Sequence, residues 1–428
     1  MAMCVEDRIS SFPDHILFHI LSFLPIKDAV RTSIISTKWR YLFASISTIK
    51  FDGSLMSGLT DRNVDSFKNF VDRLLKFPDQ VSLDCFRLND NVSWNDKEHD
   101  FDVSGWICAA LCRGVKEIDL DLKNLGDTLP ALLFTCHSLV TLKLDAVDSE
   151  IKVPSDVCLG NLKTLQLRNS VLFGDSIHRL ISNCHVLEDL AFIECGFDIS
   201  EVNIQSPSLK RLVLEFDVTE GRYFNYVVVI NAPILVYFQY HAAVAASYTL
   251  STMKSLEKAD ISIYQFDSIN SETSATHLIQ GICNVRSLSL TTDAAIFLTS
   301  GLPIFHNLIE FKYLGVGFNG RETWLVEFLH CVPNLKTLTL NFPDDAGTRW
   351  KALRMKVPSC LSFHLKEIEI SYFDPRMIEM VSYFLDNAMV LEKLKISTAA
   401  LTWSQKWGAQ IKLLQLLKRS KKSLIVIL

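Results

Sequence analysis

The chain has 428 residues, a formal charge of −5, and 49% aliphatic and aromatic residues. That length allows two or three ordinary domains, or one domain and a repeat array, with apolar residues enough for a large core. A nearly balanced charge argues against a general nucleic-acid or anionic-membrane surface, so neither nucleic acid nor membrane is expected as a partner.

The first element lies between Arg8 and Pro25. A helix entered at Pro13 places Phe12, Ile16, Leu17, Ile20, Leu21 and Leu24 on one apolar face, and Pro25 stops it. Asp28 and Ser36 read as the starts of two further short helices, the second carrying Lys38, Trp39 and Arg40. A piece this small cannot hide its own apolar surface: below roughly 40 residues, independent folding usually needs a disulfide, a metal or a partner. No metal-ligand spacing occurs in it, so its cover is either the rest of the chain, with the segment as an end cap, or another protein.

These residues resemble an F-box. The resemblance implies docking onto a Skp-type adaptor that leads to a cullin-RING ubiquitin ligase. It implies contact through Phe12, Pro13, Ile16, Leu17, Ile20, Leu21, Leu24, Pro25, Val30, Ile34, Ser36, Trp39 and Arg40. Phe12 stands where the family more often has Leu, and His15 where an acid is common; both departures keep the apolar pattern.

Next, Val64, Phe67, Phe70, Val71, Leu74 and Leu75 mark an amphipathic helix, followed by a strand from Val81 to Leu88. The two are expected to cap the structure built by residues from about 115 onward. The polar stretch from Asn89 to Asp100 is the best candidate for a mobile loop.

From about residue 115 a pattern recurs in which Leu is followed by apolar residues three and five positions on. Clear copies begin at Leu139, Leu162, Leu209 and Leu335, and weaker ones at Val115, Leu187, Leu235, Leu256, Val285, Leu308, Leu365 and Leu391. The anchors lie 21 to 30 residues apart, the period of leucine-rich repeats. Each copy reads as a short strand whose inward row is buried by stacking on its neighbours, since one unit alone cannot bury its apolar face. Ser176–Ile181 and Trp324–Leu329 supply helical returns on the convex side.

An irregular stretch from Phe342 to Pro358 separates this array from the last part of the chain. There His364–Ile370, Met380–Ala388 and Val390–Leu394, with Trp106–Ile107 and Leu187–Leu190 earlier, are similar to the FBD domain that closes many plant F-box proteins with leucine-rich repeats. Physically they read as strand, helix and strand extending the sheet and sealing its edge. The fold class expected is α/β: a three-helix F-box (1–50), a connecting helix and cap (51–114), a leucine-rich-repeat solenoid with a parallel sheet on its concave face (115–345), and a closing FBD domain (346–428).

Chemical motifs are few. Gly315, Gly317 and Gly320 match the dinucleotide fingerprint, with Asp344 or Asp345 placed for a ribose. The match falls in the loop of a repeat whose anchors, Leu308 and Leu335, keep the array's spacing, and no βαβ pattern surrounds it, so no cofactor is expected. Cys108 with Cys112, and His178 with Cys184 and His185, lack the second pair that zinc requires. No G-x-S-x-G, Walker loop or H-E-x-x-H occurs, so no catalytic residue is assigned. Eleven cysteines without a spacing framework read as reduced thiols, mostly in the core, of a cytoplasmic or nuclear protein. The apolar run from Val227 to Ile230 is cut by Asn231 and Pro233 before any membrane span forms, and the N-terminus shows no basic region followed by an apolar run. The basic cluster Lys418–Lys422 reads as the solvated end of a helix from Ile411, or as a nuclear import signal.

Along the array the outward row runs Thr141, Lys143, Thr164, Gln166, Asp189, Ala191, Arg211, Val213, Tyr237, Gln239, Lys258, Asp260. Its middle is the more apolar part, so Ala191, Ile193, Arg211, Val213, Tyr237 and Gln239 are the expected target-binding residues. Basic residues alternate with Asp, Glu and Thr, without the convergence an inositol phosphate would need. The expected function is a non-catalytic specificity subunit of a ubiquitin ligase. A small-molecule co-receptor of such a ligase, or a scaffold with no ligase role, is the alternative.

Overall fold

The computed structural model describes residues 9–40, 42, 46–51, 61–75, 82–89, 102–122, 128–173, 175–198, 200–216, 226–264, 271–292, 301–315, 324–342, 356–398, 406, 408, 411–413, 415–416 and 424–427. Outside them lie the greater part of the Asn89–Asp100 loop, residues 316–320 of the glycine motif with Asp344 and Asp345, most of the 342–358 stretch, and the basic cluster 418–422. The chain divides into two compact units, Met1–Ile199 and Ser200–Leu428.

The first unit begins with helix α1 (Asp14–Ser22), which starts directly after Pro13 and ends at Phe23, ahead of Pro25. Helix α2 (Ile26–Arg31) opens at once behind Pro25, two residues earlier than expected from Asp28. The ring fixes the Pro25 φ at −53° and preorganises the entry, so no side-chain cap is needed. Beyond α2 the described residues form tighter 3-10 turns, Thr32–Ile34 and residues 39 and 40, instead of a helix opening at Ser36. The Trp39 amide bonds the Ser36 carbonyl, the three-residue span of such a turn. Leu17, Leu21, Ile26, Ala29 and Trp39 are the buried apolar residues of this segment, and α2 lies against the strand Thr48–Phe51. Trp39 Nε1 donates to Ser10 Oγ at 2.8 Å and Lys38 Nζ to the Phe12 carbonyl at 2.6 Å, tying its end to its beginning.

Helix α3 (Asp61–Leu75) buries Phe67, Val71, Leu74 and Leu75 of the expected face and half-buries Phe70, while the Val64 side chain lies outside the described residues. It meets helix α4 (Val103–Cys112), whose first turn is capped by Asp102 accepting from the Gly105 amide. Trp106 of α4 donates from Nε1 to Asp72 Oδ1 at 3.0 Å. Six parallel strands follow one another in register: β1 (Thr48–Phe51), β2 (Cys85–Asn89), β3 (Glu117–Asp121), β4 (Thr141–Glu150), β5 (Thr164–Phe173) and β6 (Asp189–Asp198). Two apolar columns run across them: Ile49, Phe86, Ile118, Leu142, Leu165, Leu190, and beside it Phe51, Leu88, Leu120, Leu144, Leu167, Phe192. All twelve side chains are buried. Period-two alternation, applied strand after strand, makes this continuous core. Helix α5 (Ser176–Ser182) is the helical return expected there.

In the second unit nine parallel strands repeat the arrangement: β8 (Arg211–Phe216), β10 (Tyr237–Ala243), β12 (Lys258–Tyr264), β13 (Ser287–Thr292), β14 (Glu310–Gly315), β15 (Thr337–Asn341), β16 (Glu367–Ser371), β17 (Lys393–Ile396) and β18 (Leu424–Ile427). Every repeat anchor sits two residues ahead of its strand and is buried, from Val115 before β3 to Leu391 before β17. Helical returns include α6 (Ser271–Gly281), α7 (Trp324–His330), α8 (Ser359–Phe363) and α9 (Ile378–Asn387).

One stretch departs from helical returns. Strands β7 (Glu201–Gln205), β9 (Val227–Asn231) and β11 (Ser247–Leu250) pair in the order β11-β9-β7 as a second, parallel sheet. The run Val227, Val228, Val229, Ile230 explains the choice, because branched side chains favour an extended backbone. Tyr226 Oη lies 2.7 Å from Tyr240 Oη, and Tyr248 donates to Tyr240 at 3.2 Å, so three buried phenols satisfy one another beside the two sheets.

Candidate protein-docking surfaces

Burial separates the N-terminal segment into two sets of apolar residues. Leu17, Leu21 and Trp39, expected to touch an adaptor, are buried within the chain and shape the surface from below. Phe12, Ile16, Ile20, Leu24 and Ile34 are exposed, and Pro13, Pro25 and Arg40 lie at the surface with them. Val30 and Ser36 are half-buried, the Ser36 hydroxyl lying 3.2 Å from that of Ser10. Three further exposed residues were not singled out in sequence: Ile9, Phe23 at 74% and Ile35. Their signal was the high apolar content of residues 9–35, more than one helical stripe can bury. Such a concentration of exposed large side chains marks an interaction surface.

The second candidate is the polar face of the repeats. In the first unit it carries Ala191 and Ile193; in the second, Arg211, Val213, Tyr237 and Gln239. Ala191 and Val213 are buried, so they offer a partner no surface of their own. Both are short side chains in register with longer ones, Gln166 and Gln239, on the same face. Ile193 is half-buried and Arg211 exposed.

Around Tyr237 the face is ordered. The Arg211 guanidinium lies over the ring at 5.0 Å from its centroid and Lys258 Nζ at 6.0 Å. Tyr237 Oη donates to Gln239 Oε1 at 2.7 Å, and Gln239 Nε2 donates to Glu215 Oε1 at 2.5 Å. His241 stands between two acids, Nδ1 3.4 Å from Glu215 and Nε2 3.6 Å from Asp260. Glu215 and His241 were missed in sequence, although each sits two residues beyond a residue of the expected row. Burial by itself would raise the Asp260 carboxyl, but His241, Ser289 and Lys258 outweigh it and hold the group below its ordinary value. Burial and the nearby Asp260 carboxylate push the Tyr237 phenol up. The arrangement presents hydrogen-bonding groups and charge of both signs around one aromatic ring.

Gly315, first residue of the glycine motif, is buried at the end of β14, where a Cβ would stand 2.8 Å from the Tyr313 ring and 3.1 Å from that of Phe342. Aromatic packing is sufficient reason for a glycine there. Among the described residues, no group of His, Cys, Asp and Glu is arranged to hold a metal, and no helix is long and apolar enough to cross a membrane. The ten described cysteines are free thiols, of which Cys85, Cys136, Cys184, Cys195 and Cys360 are buried.

The chain is similar to known proteins over most of its length. The family model described as the At1g61320/AtMIF1 LRR domain matches residues 78–424, and the F-box domain model matches residues 9–50. The F-box/LRR-repeat protein At3g59200 of Arabidopsis thaliana is 33% identical over 439 residues, covering 91% of this chain and 82% of the relative. The F-box/LRR-repeat protein At4g14096 of the same plant is 33% identical over 421 residues, covering 91% and 87%. The F-box/FBD/LRR-repeat protein At5g22660, also of Arabidopsis thaliana, is 29% identical over 423 residues, covering 91% and 90%.

Proposed function

Because this chain belongs to the F-box/LRR-repeat protein family, we propose that it is the non-catalytic substrate receptor of a Skp-cullin-F-box ubiquitin ligase. One observation carries the reading: the N-terminal segment leaves Ile9, Phe12, Ile16, Ile20, Phe23, Leu24, Ile34 and Ile35 exposed over a core of only a few residues. Full burial of a large apolar side chain is worth roughly 1.5–3 kcal/mol, and each of these, 36–87% exposed, forgoes a share of it, so such a surface calls for a partner. The Skp-type adaptor is that partner. The repeat face holds the target, and strands β16 and β17 with α9 form part of a closing domain of FBD type. Catalysis comes from proximity, since a target held beside a charged conjugating enzyme reacts at a raised effective concentration.

Co-expression with a Skp-type adaptor tests the reading. The natural chain is expected to co-purify with it, and a variant with Ile20→Asp and Ile34→Asp is expected to lose it while keeping its circular dichroism spectrum. Equal recovery of the adaptor with both chains would overturn the proposal.

A further inference from the structure

In the second unit the sheet ends on β18, which pairs on one side only, with β17. Register and hydrogen bonding fix which of its backbone groups are engaged. The Leu424 amide donates to the Glu392 carbonyl at 2.8 Å, so in this parallel ladder Leu424 and Val426 turn their N–H and C=O groups toward β17. Ile425 and Ile427 turn theirs outward, and among the described residues no strand pairs with that side. Edge strands are ordinarily blunted by a lysine, a proline or a covering element. β1, which ends the sheet of the first unit, exposes Lys50 and has α2 against it. β18 reads Leu424-Ile425-Val426-Ile427, without charge or proline; none of the four is buried, and Leu424 is 60% exposed. The apolar columns also stop short here: buried Leu394 and Ile396 lie in register with Ile425 and Ile427, which are only half-buried.

We propose that β18 pairs antiparallel with β18 of a second copy, joining two chains in a symmetric dimer through one continuous sheet. The geometry of the edge selects a copy of itself. Identical edges related by a two-fold axis meet antiparallel, and with the axis at Val426, Ile425 of each chain faces Ile427 of the other. Those are the residues whose backbone groups point outward, so each facing pair exchanges both N–H···O bonds. Each copy also extends the apolar columns of the other, its Ile427 beside Ile425 and its Ile425 beside Ile427, where solvent stood before. No charge on either strand opposes the pairing. Two strands of 4 residues bury much less than the roughly 1,200–2,000 Å² of a stable interface, so the dimer is weak and forms as concentration rises. The inference is independent of the ligase reading.

Sedimentation velocity of the full-length chain over a range of concentrations, in reducing buffer, is expected to show a monomer–dimer equilibrium. Ile425→Pro removes an N–H that β17 does not use, at a place where an edge strand tolerates proline. It is expected to keep the melting curve while weakening dimerisation by roughly tenfold or more. Ile20→Asp with Ile34→Asp, which charges the exposed apolar surface near the N-terminus, is expected to leave the dimer intact. Cross-linking reads the register. On the axis the Val426 Cα atoms of the two copies stand about 4.5 Å apart, within the roughly 4.4–6.8 Å that a disulfide spans. Val426→Cys is therefore expected to form a disulfide-linked dimer on oxidation with diamide. Leu424→Cys is expected not to, since its two copies stand about 13 Å apart along the strands. The natural chain, treated alike, gives the background from its own thiols. A monomer at every concentration, undiminished dimerisation of Ile425→Pro, loss of the dimer on charging the N-terminal surface, or equal cross-linking of the two cysteine variants would overturn the inference.

Discussion

Ile16 and Leu17 are consecutive residues of one helix, yet Leu17 is fully buried while Ile16 leaves 37% of its surface to solvent. The same division holds a turn later between Ile20 and Leu21. One pair faces the small internal core and the other the proposed adaptor. Leu17→Ala is expected to destabilise the N-terminal segment by about 2–5 kcal/mol through the cavity it leaves, whereas Ile16→Ala is expected to weaken adaptor binding without loosening the segment. Limited proteolysis separates the two, with early cleavage inside residues 9–40 only for Leu17→Ala.

Among the described residues, three other than glycine hold a left-handed backbone: Asn169, Glu194 and Tyr372. Asn169 and Glu194 lie at matching places in β5 and β6, where the long strands turn, and the Asn169 amide donates to Asp145 Oδ1 at 2.8 Å. Asn tolerates this conformation and Glu does not. Replacing Glu194 by Asn is therefore expected to stabilise the first unit by about 1 kcal/mol, read as a rise of about 2–4 °C in its melting temperature.

Cysteine labelling is expected to follow burial. Desolvation pushes the Cys184 and Cys360 thiols up to about 12, so almost no thiolate forms there at pH 8. Cys112 and Cys158 are exposed. Iodoacetamide at pH 8, followed by peptide mass spectrometry, is expected to modify Cys112 and Cys158 in the folded chain, and Cys184 and Cys360 only after denaturation.

Asp260 gives a pH dependence of known sign. Its folded carboxyl lies below the ordinary value, so its contribution is present above the unfolded pKa near about 3.9 and fades as pH falls through the folded one. Asp260→Asn is expected to lower stability at pH 7 by at most about 1 kcal/mol, because the group is partly exposed. Below about pH 4 the gap to the natural chain is expected to close, as chemical denaturation at a series of pH values would record.

Much of this molecule was legible before any coordinates. Every repeat anchor read from spacing lies at the head of a strand, because the pattern is local: a Leu three residues before another apolar residue needs only its neighbouring units to be buried. The strand at Thr48–Phe51 was not read, since so short a run carries too little periodicity to stand out, and the strand expected from Val81 to Leu88 runs from Cys85 to Asn89. The helix starting at Ile26 was placed two residues late because Asp28 is a good cap, but Pro25 had already set the entry. The sheet β7-β9-β11 was hidden in a run that reads equally as any buried apolar segment.

The sequence by itself determined the family, the parallel repeat and the polarity of each strand face, because these depend on residue types at short, regular separations. Tertiary structure alone decided which residues of an apolar stripe remain outside. Leu17 and Ile16 are equally apolar, and only packing with other parts of the chain makes one internal and leaves the other available. It also buried Ala191 and Val213 and brought Arg211, Tyr237 and Lys258 side by side from three separate strands. Burial and register are relations between distant parts of the chain, and pattern within a single segment does not contain them.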